Sequence, residues 1–390
     1  MTLNYFMSNN LLSILKKAAI AFLLVSVACV DPYLKRFTGT QDIIIVESIL
    51  SDQVMGNYVS LTESKAGDGF NTSYQPLKGA QVTVKINDSE TIALQETESG
   101  YYAYPNGFKG EPGNTYQLFF TTKGQNFESR KETMLAAPVI ENIYHEFDSR
   151  GIKDLDGKLS PSQKVYIDTS DPVESRDFYM WNWTLFEEQL WCKTCDNGYY
   201  YRDNSTGPLG ECREERFRRG KFDYLCDTRC WDVFSQTEIN IMKDEFSNGQ
   251  TIKGRLIANL PIYQLTGSLV QVQQFSISEE TYKYLNLVQT QGQNTGGLAD
   301  TPPVTLIGNV SSTTDFNQPV AGYFIVASSD QKLYWLDKQD IPKGTIALGL
   351  LGDGRSARPE PSGMDLTRPP LAPCIKSDKR TSVKPEGWIN

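Results

Sequence analysis

Seven cysteines are the residues of this 390-residue chain with the clearest capacity for chemistry. Cys29 stands apart from the other six. It ends the stretch Ser8 to Cys29, in which Lys16 and Lys17 supply a positive start and Ala18 to Val27 an uncharged apolar run. That run has the length of a signal-peptide h-region and is too short to span a bilayer as a stable helix. Small residues, Ser26 and Ala28, come just before the thiol. A thiol so placed suits alkylation by diacylglycerol, followed by cleavage that makes the cysteine residue one. Ser26 stands where leucine is usual, so the lipobox is imperfect. The competing readings are a secretory signal with a chance cysteine and a transmembrane anchor, the latter opposed by length. The expectation is a signal peptide over residues 1–28 and attachment to a lipid bilayer through acylated Cys29.

Cys192, Cys195, Cys212, Cys226, Cys230 and Cys374 remain, an even number. In an exported chain that points to disulfides, with the pairing left open by sequence. Five of the six fall in residues 191–231, a stretch rich in Tyr and Arg and poor in aliphatics. It cannot bury a core by itself, so cross-links must hold it. Cys192/Cys195 and Cys226/Cys230 also have the spacing of zinc knuckles. The oxidising setting and the fifth cysteine between the pairs argue against zinc. A redox role for Cys192 to Cys195 lacks the surrounding βαβ pattern. The aromatics of the stretch, Trp191, Tyr199, Tyr200, Tyr201 and Trp231, are candidate stacking partners for a ligand.

Other chemistry is sparse. His145 is the single histidine, without metal-ligand spacing around it, so a His-based triad or His-rich metal site is not expected. No GxSxG elbow, P-loop, GxGxxG fingerprint or HExxH occurs. Glu187 and Glu188 are adjacent, so on a strand they point to opposite faces and form no acid/base pair. Asp154-Leu155-Asp156-Gly157 resembles half a calcium loop, but it lacks the third ligand before its Gly and the closing Glu, and reads as a turn. No metal, no cofactor and no catalytic residue is expected. Carboxylates distant in sequence could still converge, which keeps a hydrolase as the remaining enzymatic alternative.

The elements that must carry these residues are mostly strands. Asp42 to Leu50 is a short run rich in Ile and Val, and Asn57 to Ser64 alternates. Gln81 to Ile86 places Val82, Val84 and Ile86 on one face, the pattern of a strand buried on one side. Further strands are predicted over 91–95, 101–104, 115–122 and 126–130, with Gly, Asn and Asp turn signals between them. This spacing implies an Ig-like or regulatory-type antiparallel β-sandwich over 42–137, after a tether at 29–41. A second β-rich domain covers 138–390. Within it, strands are predicted at 164–169, 177–186, 269–275, 304–310 and 321–327. Tyr179, Trp181, Trp183 and Leu185 share one face, as sandwich core residues do. Ser276 to Gln293 is the one predicted amphipathic helix, with Ser276 and Glu279 as a capping box. Residues 191–231 are an insertion, and 352–373 a Pro- and Gly-rich loop. The tail, Cys374 to Asn390, is expected to dock back through Cys374 and Trp388. The fold class is mainly β.

Composition agrees. Tyr 20, Phe 18 and Trp 6 favour strands, and 39% hydrophobic with 22% charged residues describes a globular chain. The formal charge is −9, and loss of Lys16 and Lys17 with the signal makes the mature chain more acidic still. Phosphate binding needs a basic face, so nucleic acid is excluded as a partner.

Several segments, in order, resemble one family. They are Asp31-Pro32 after the lipobox, Ile45-Val46-Glu47-Ser48, Leu77 to Val82, and Gly100-Tyr101-Tyr102 followed by Gly113 to Tyr116. Tyr179 to Trp183, Val272 to Glu280, Gly308-Asn309-Val310, Ala321 to Phe324 and Lys384 to Trp388 continue the series. The order is similar to that of the Bacteroidota outer-membrane lipoproteins grouped as domain of unknown function 4249, over nearly the whole mature chain. The resemblance implies a lipid-anchored outer-membrane protein, accessory to a TonB-dependent transporter, with no catalytic residues to carry over. It also favours pairing Cys230 with Cys374, both in family-like segments. The chain departs from the family's pattern in its larger cysteine-rich insertion and in the single terminal cysteine, Cys374.

The function expected is therefore non-enzymatic: nutrient binding or uptake beside a TonB-dependent transporter, on the cell surface or the periplasmic face. The alternatives are a stand-alone glycan- or peptide-binding surface lipoprotein and a carboxylate-dependent hydrolase.

Overall fold

The computed structural model describes residues 42–65, 73–153, 157–173, 175–203, 205–245, 247–292, 306–351, 355–361 and 369–389. The signal, Cys29 and the tether lie outside the described residues, as do Asp154 to Asp156. The first strands follow the alternation of the sequence closely: β1 (Ile43–Ser51), β2 (Tyr58–Lys65), β3 (Ser73–Pro76), β4 (Gln81–Ile86) and β5 (Glu90–Ala93). The chain continues through β6 (Gln95–Glu98), β7 (Tyr101–Ala103), β8 (Thr115–Thr122), β9 (Gln125–Ser129) and β10 (Glu132–Thr133). Long strands follow, β11 (Ile140–Lys153), β12 (Leu159–Ser170) and β13 (Phe178–Glu188). The insertion contributes β14 (Trp191–Asp196), β15 (Gly198–Tyr201), β16 (Glu211–Glu214) and β17 (Lys221–Leu225). Then come β18 (Trp231–Ser235), β19 (Asn240–Lys243), β20 (Thr251–Pro261), β21 (Ser268–Ser276) and the helix α1 (Glu279–Gly292). The chain closes with β22 (Val310–Ser312), β23 (Val320–Leu336) and β24 (Arg380–Thr381).

One long sheet organises the molecule, in the order β24-β18-β13-β21-β23-β1-β2-β7-β6, with β19 on β13 and β3 on β2. β23 is its hinge piece. Its first half, Val320 to Ala327, runs parallel to β1, and its second half, Ser328 to Leu336, runs antiparallel to β21. Two smaller sheets cover one side of this long sheet. β22-β9-β8-β4-β5, with β10 on β8, packs over the β1 end. Val46, Leu50, Leu61 and Phe324 meet Val84, Leu118, Phe120 and Phe127 in that core. β11-β12-β20 packs over the β13 end, where Tyr179, Trp181, Val270 and Val272 meet Val165, Ile167, Ile257 and Leu260. Alternation explains both cores, because each strand sends every second side chain to one face. Strand β22, from beyond residue 137, completes the sheet that covers β1.

Among the described residues there is one helix, and its cap differs from the expected one. Ser278 Oγ accepts the amide of Thr281 at 3.2 Å, so Ser278 is the N-cap. Ser276 is not available for that role, since it is buried in β21 between Tyr179 of β13 and Ser328 of β23. Of the strand expected over 304–310, residues 304–305 lie outside the described residues, and among 306–310 only Val310 is in a strand, β22.

The insertion is held as its composition requires. Cys192–Cys226 ties β14 to the residue after its partner strand β17, and Cys195–Cys212 ties β14 to β16, which joins the β14–β17 pair to the β15–β16 pair. Cys230–Cys374 ties the entry of β18 to the C-terminal segment. That segment adds β24 to β18 and buries Trp388 edge-on against Trp231 and Trp335.

Candidate functional site

The side of the long sheet away from the two cores carries a groove. β1 sends Ile44, Val46 and Leu50 into the core, which leaves Ile45, Glu47 and Ile49 on the opposite face. Register places Tyr323 beside Glu47 and Ile325 beside Ile49 on β23, with Tyr58 of β2 on the other flank of Ile49. Further along, Met180 pairs with Phe275, and Asn182 with Gln273. α1 lies over part of this face, packing Tyr282 and Leu285 against Phe178, Met180, Phe275 and Ile277. Between the helix and β1 a cavity of about 530 Å³ remains, also lined by Tyr284 and by Met55 of the β1–β2 loop. Ile45, Ile49 and Ile325 give it an aliphatic floor, and Glu47, Asn182 and Gln273 add polar side chains, a mix that suits a ligand site.

A buried polar node fixes one wall. Glu132 Oε1 accepts Asn309 Nδ2 at 3.0 Å and the Tyr323 hydroxyl at 3.1 Å, and its Oε2 accepts Ser278 Oγ at 2.9 Å. Asn309 also bonds both backbone groups of Phe324 at 2.9 Å. One carboxylate thus ties β10, the chain before β22, the start of α1 and β23 together. Burial pushes the Glu132 carboxyl above its ordinary value, against the pull of these donors, and the neighbouring Tyr323 phenol is raised as well.

The residues singled out from sequence lie elsewhere. All six described cysteines are in disulfides. The sulfurs of Cys192, Cys226 and Cys230 lie within 4.8 Å of one another, but as disulfides they offer no thiolate to zinc. Of the stacking candidates, Tyr200 and Trp231 are buried and present no face to a ligand. Tyr199 and Tyr201 are covered on one face by Arg218 and Arg213, whose guanidinium carbons stand 3.5 and 4.6 Å from the ring centroids. Trp191 is half-buried and pairs with Leu225 across β14 and β17. Cation–π packing inside the insertion therefore takes one face each of Tyr199 and Tyr201. His145 bonds the Tyr334 hydroxyl through Nδ1 at 2.8 Å. Glu187 and Glu188 separate as expected, one to buried Lys338 and the other to exposed Arg229.

Sequence reasoning missed an acidic cluster. Asp171, Asp177 and Asp244 bring carboxylate oxygens within 4.8 Å of one another, and all three are buried. Asp171 accepts the Tyr179 hydroxyl and the Gly249 amide, and Asp244 accepts the Asp177 amide at 2.8 Å. Burial, followed by the charges of Asp171 and Asp244, raises the Asp177 carboxyl. These hydrogen bonds close the turn from β12 into β13 against the segment after β19. No local spacing signals the cluster, since Asp244 joins Asp171 and Asp177 from a distant part of the chain.

A family model described as Domain of unknown function (DUF4249) matches residues 30–333. The chain belongs to the DUF4249 family. Searches of curated proteins and of solved structures gave no match. Several segments inside the DUF4249 match build the groove or its support. Gly322 has φ +93°, and a Cβ there would fall 1.9 Å from the Val46 carbonyl oxygen. Gly308 in turn sits against the Gly322 carbonyl, leaving 1.6 Å for a Cβ. Only glycine permits these two backbone approaches, which set β23 against β1 and bring Asn309 to Glu132. In the Val272 to Glu280 segment of the DUF4249 match, Gln273 faces the groove. Gln274 faces the opposite core, where it accepts the Trp181 indole at 2.9 Å and donates to Thr169 Oγ1 at 3.0 Å.

Proposed function

We propose that this DUF4249 chain is an exported Bacteroidota-type lipoprotein, anchored in the outer membrane through acylated Cys29. In this reading it binds a ligand in the groove as an accessory to a TonB-dependent transporter in nutrient uptake, and it is not an enzyme. The groove carries the proposal: about 530 Å³, an aliphatic floor, and polar side chains among its lining. Two further observations support it. Three disulfides suit a compartment outside the cytoplasm. The family match begins at Val30, the residue after Cys29, which agrees with a processed segment before it. Among the described residues no helix is long and apolar enough to cross a membrane, and the proposal assigns attachment to the lipid. The test is pull-down of the tagged protein from detergent-solubilised outer membrane. Co-purification of a TonB-dependent transporter is the expected result; its repeated absence from the eluate would overturn the accessory role.

A further inference from the structure

We infer that the groove takes a small amphipathic cation, an ammonium or guanidinium group carried on an apolar body; the inference rests on the reading of the groove as the ligand site. Glu47 is the one formally charged residue lining it, and no Lys, Arg or His is among the lining residues. Its carboxylate is exposed on the groove face and makes no ion pair with a described residue. Beside it, the Tyr58 hydroxyl lies 3.4 Å from Oε1, and the Tyr58 ring stacks on Tyr101 with centroids 5.1 Å apart. A carboxylate in the groove with no opposing cation attracts an ammonium or guanidinium group through its charge. An anion would be repelled there, and a neutral donor could offer the carboxylate a hydrogen bond but no opposing charge.

The rest of the groove fits the body of such a ligand. Ile45, Ile49, Ile325 and Leu285 offer aliphatic surface next to Glu47. At the far end stands Asn182, whose side chain makes no hydrogen bond to another described residue, so its amide is free for a polar substituent. The volume is that of a small organic molecule, not of a folded partner.

The experiment compares phenethylammonium, phenethyl alcohol and 3-phenylpropionate by ligand-observed NMR titration. The full mature lipoprotein is held in lipid nanodiscs, and the groove-filling variant Ile325→Trp serves as the reference for membrane partitioning. The ammonium should bind roughly fivefold more tightly than the alcohol, the scale of one exposed charge contact, and the carboxylate most weakly. Glu47→Gln should bring the ammonium to the level of the alcohol. Alcohol binding as tight as the ammonium, or an ammonium affinity untouched by Glu47→Gln, would overturn the cation preference while leaving the groove as the site. Signals no larger in the wild type than in Ile325→Trp for all three probes would overturn the groove reading itself.

Discussion

Lys338 Nζ lies 2.8 Å from Glu187 Oε1, with side-chain exposures of 2% and 1%. Lys338 also donates to the Gln264 carbonyl at 3.0 Å, and Gln264 Nε2 donates to Glu187 Oε2 at 3.0 Å. The pair pins the end of β13 to the chain beyond β23. Lys338→Met should cost about 3–5 kcal/mol in chemical denaturation, because it leaves a buried charge unpaired. The double variant Glu187→Gln/Lys338→Met should recover most of that loss. Burial already holds the Glu187 carboxyl above its ordinary value, with Lys338 pulling the other way. The deficit of Lys338→Met should therefore shrink as pH falls and Glu187 takes up a proton.

Asp177 gives a second pH signature. Its folded-state value is raised, so its protonated form favours the fold. That contribution is present below the ordinary carboxylate value and is lost as pH rises through the folded value. Asp177→Asn should raise stability near neutral pH by about 1 kcal/mol and change little near pH ~3. Thermal melts at the two pH values measure this. A lower melting temperature for the variant at neutral pH would contradict the account of three repelling buried carboxylates.

Gly322 and Gly344 separate two effects of adding a Cβ. Both have positive φ, +93° and +90°. Only at Gly322 does the new atom meet backbone, 1.9 Å from Val46 O, whereas at Gly344 nothing stands within 4 Å. Gly344→Ala should cost about 1 kcal/mol from the backbone conformation alone. Gly322→Ala should cost several-fold more, since β1 and β23 would have to part. Equal losses in denaturation would show that the β1–β23 approach is not tight.

Cys374→Ser should release the C-terminal segment. The Cys230–Cys374 bond closes a separation of 144 residues, and its removal is expected to cost about 2–5 kcal/mol. Trp388, now packed on Trp231 and Trp335, should become accessible to an aqueous fluorescence quencher. Unchanged quenching would mean that aromatic packing holds the tail without the bond.

The strands were legible where one face is buried and the other wet. β4 and β8 carry strict alternation, and residues 81–86 and 115–122 form strands over those same bounds. β11 was harder to see. Its sequence, IENIYHEFDSRGIK, buries only Ile140 fully, so it has little periodicity to read. The parallel pairing of β1 with β23 leaves no local mark, because its partners lie far apart in the chain. The groove inherits that invisibility. Ile45, Glu47 and Ile49 were readable as strand residues, but only the pairing with Tyr323 and Ile325 makes their face a floor. Likewise Glu132, Asn309 and Tyr323 meet from three separate segments. In the insertion, composition reports Tyr and Arg without reporting that Arg218 and Arg213 each cover one face of Tyr199 and Tyr201, or that Tyr200 and Trp231 are buried.

The most direct measurement of the central claim, that the groove is a ligand site, is native mass spectrometry of the protein purified from the cells that make it. The wild type should carry a non-covalent adduct of small-molecule mass that is lost on mild collisional activation, and Ile325→Trp should carry none. Absence of any adduct on the wild type, or the same adduct on both proteins, would contradict the account.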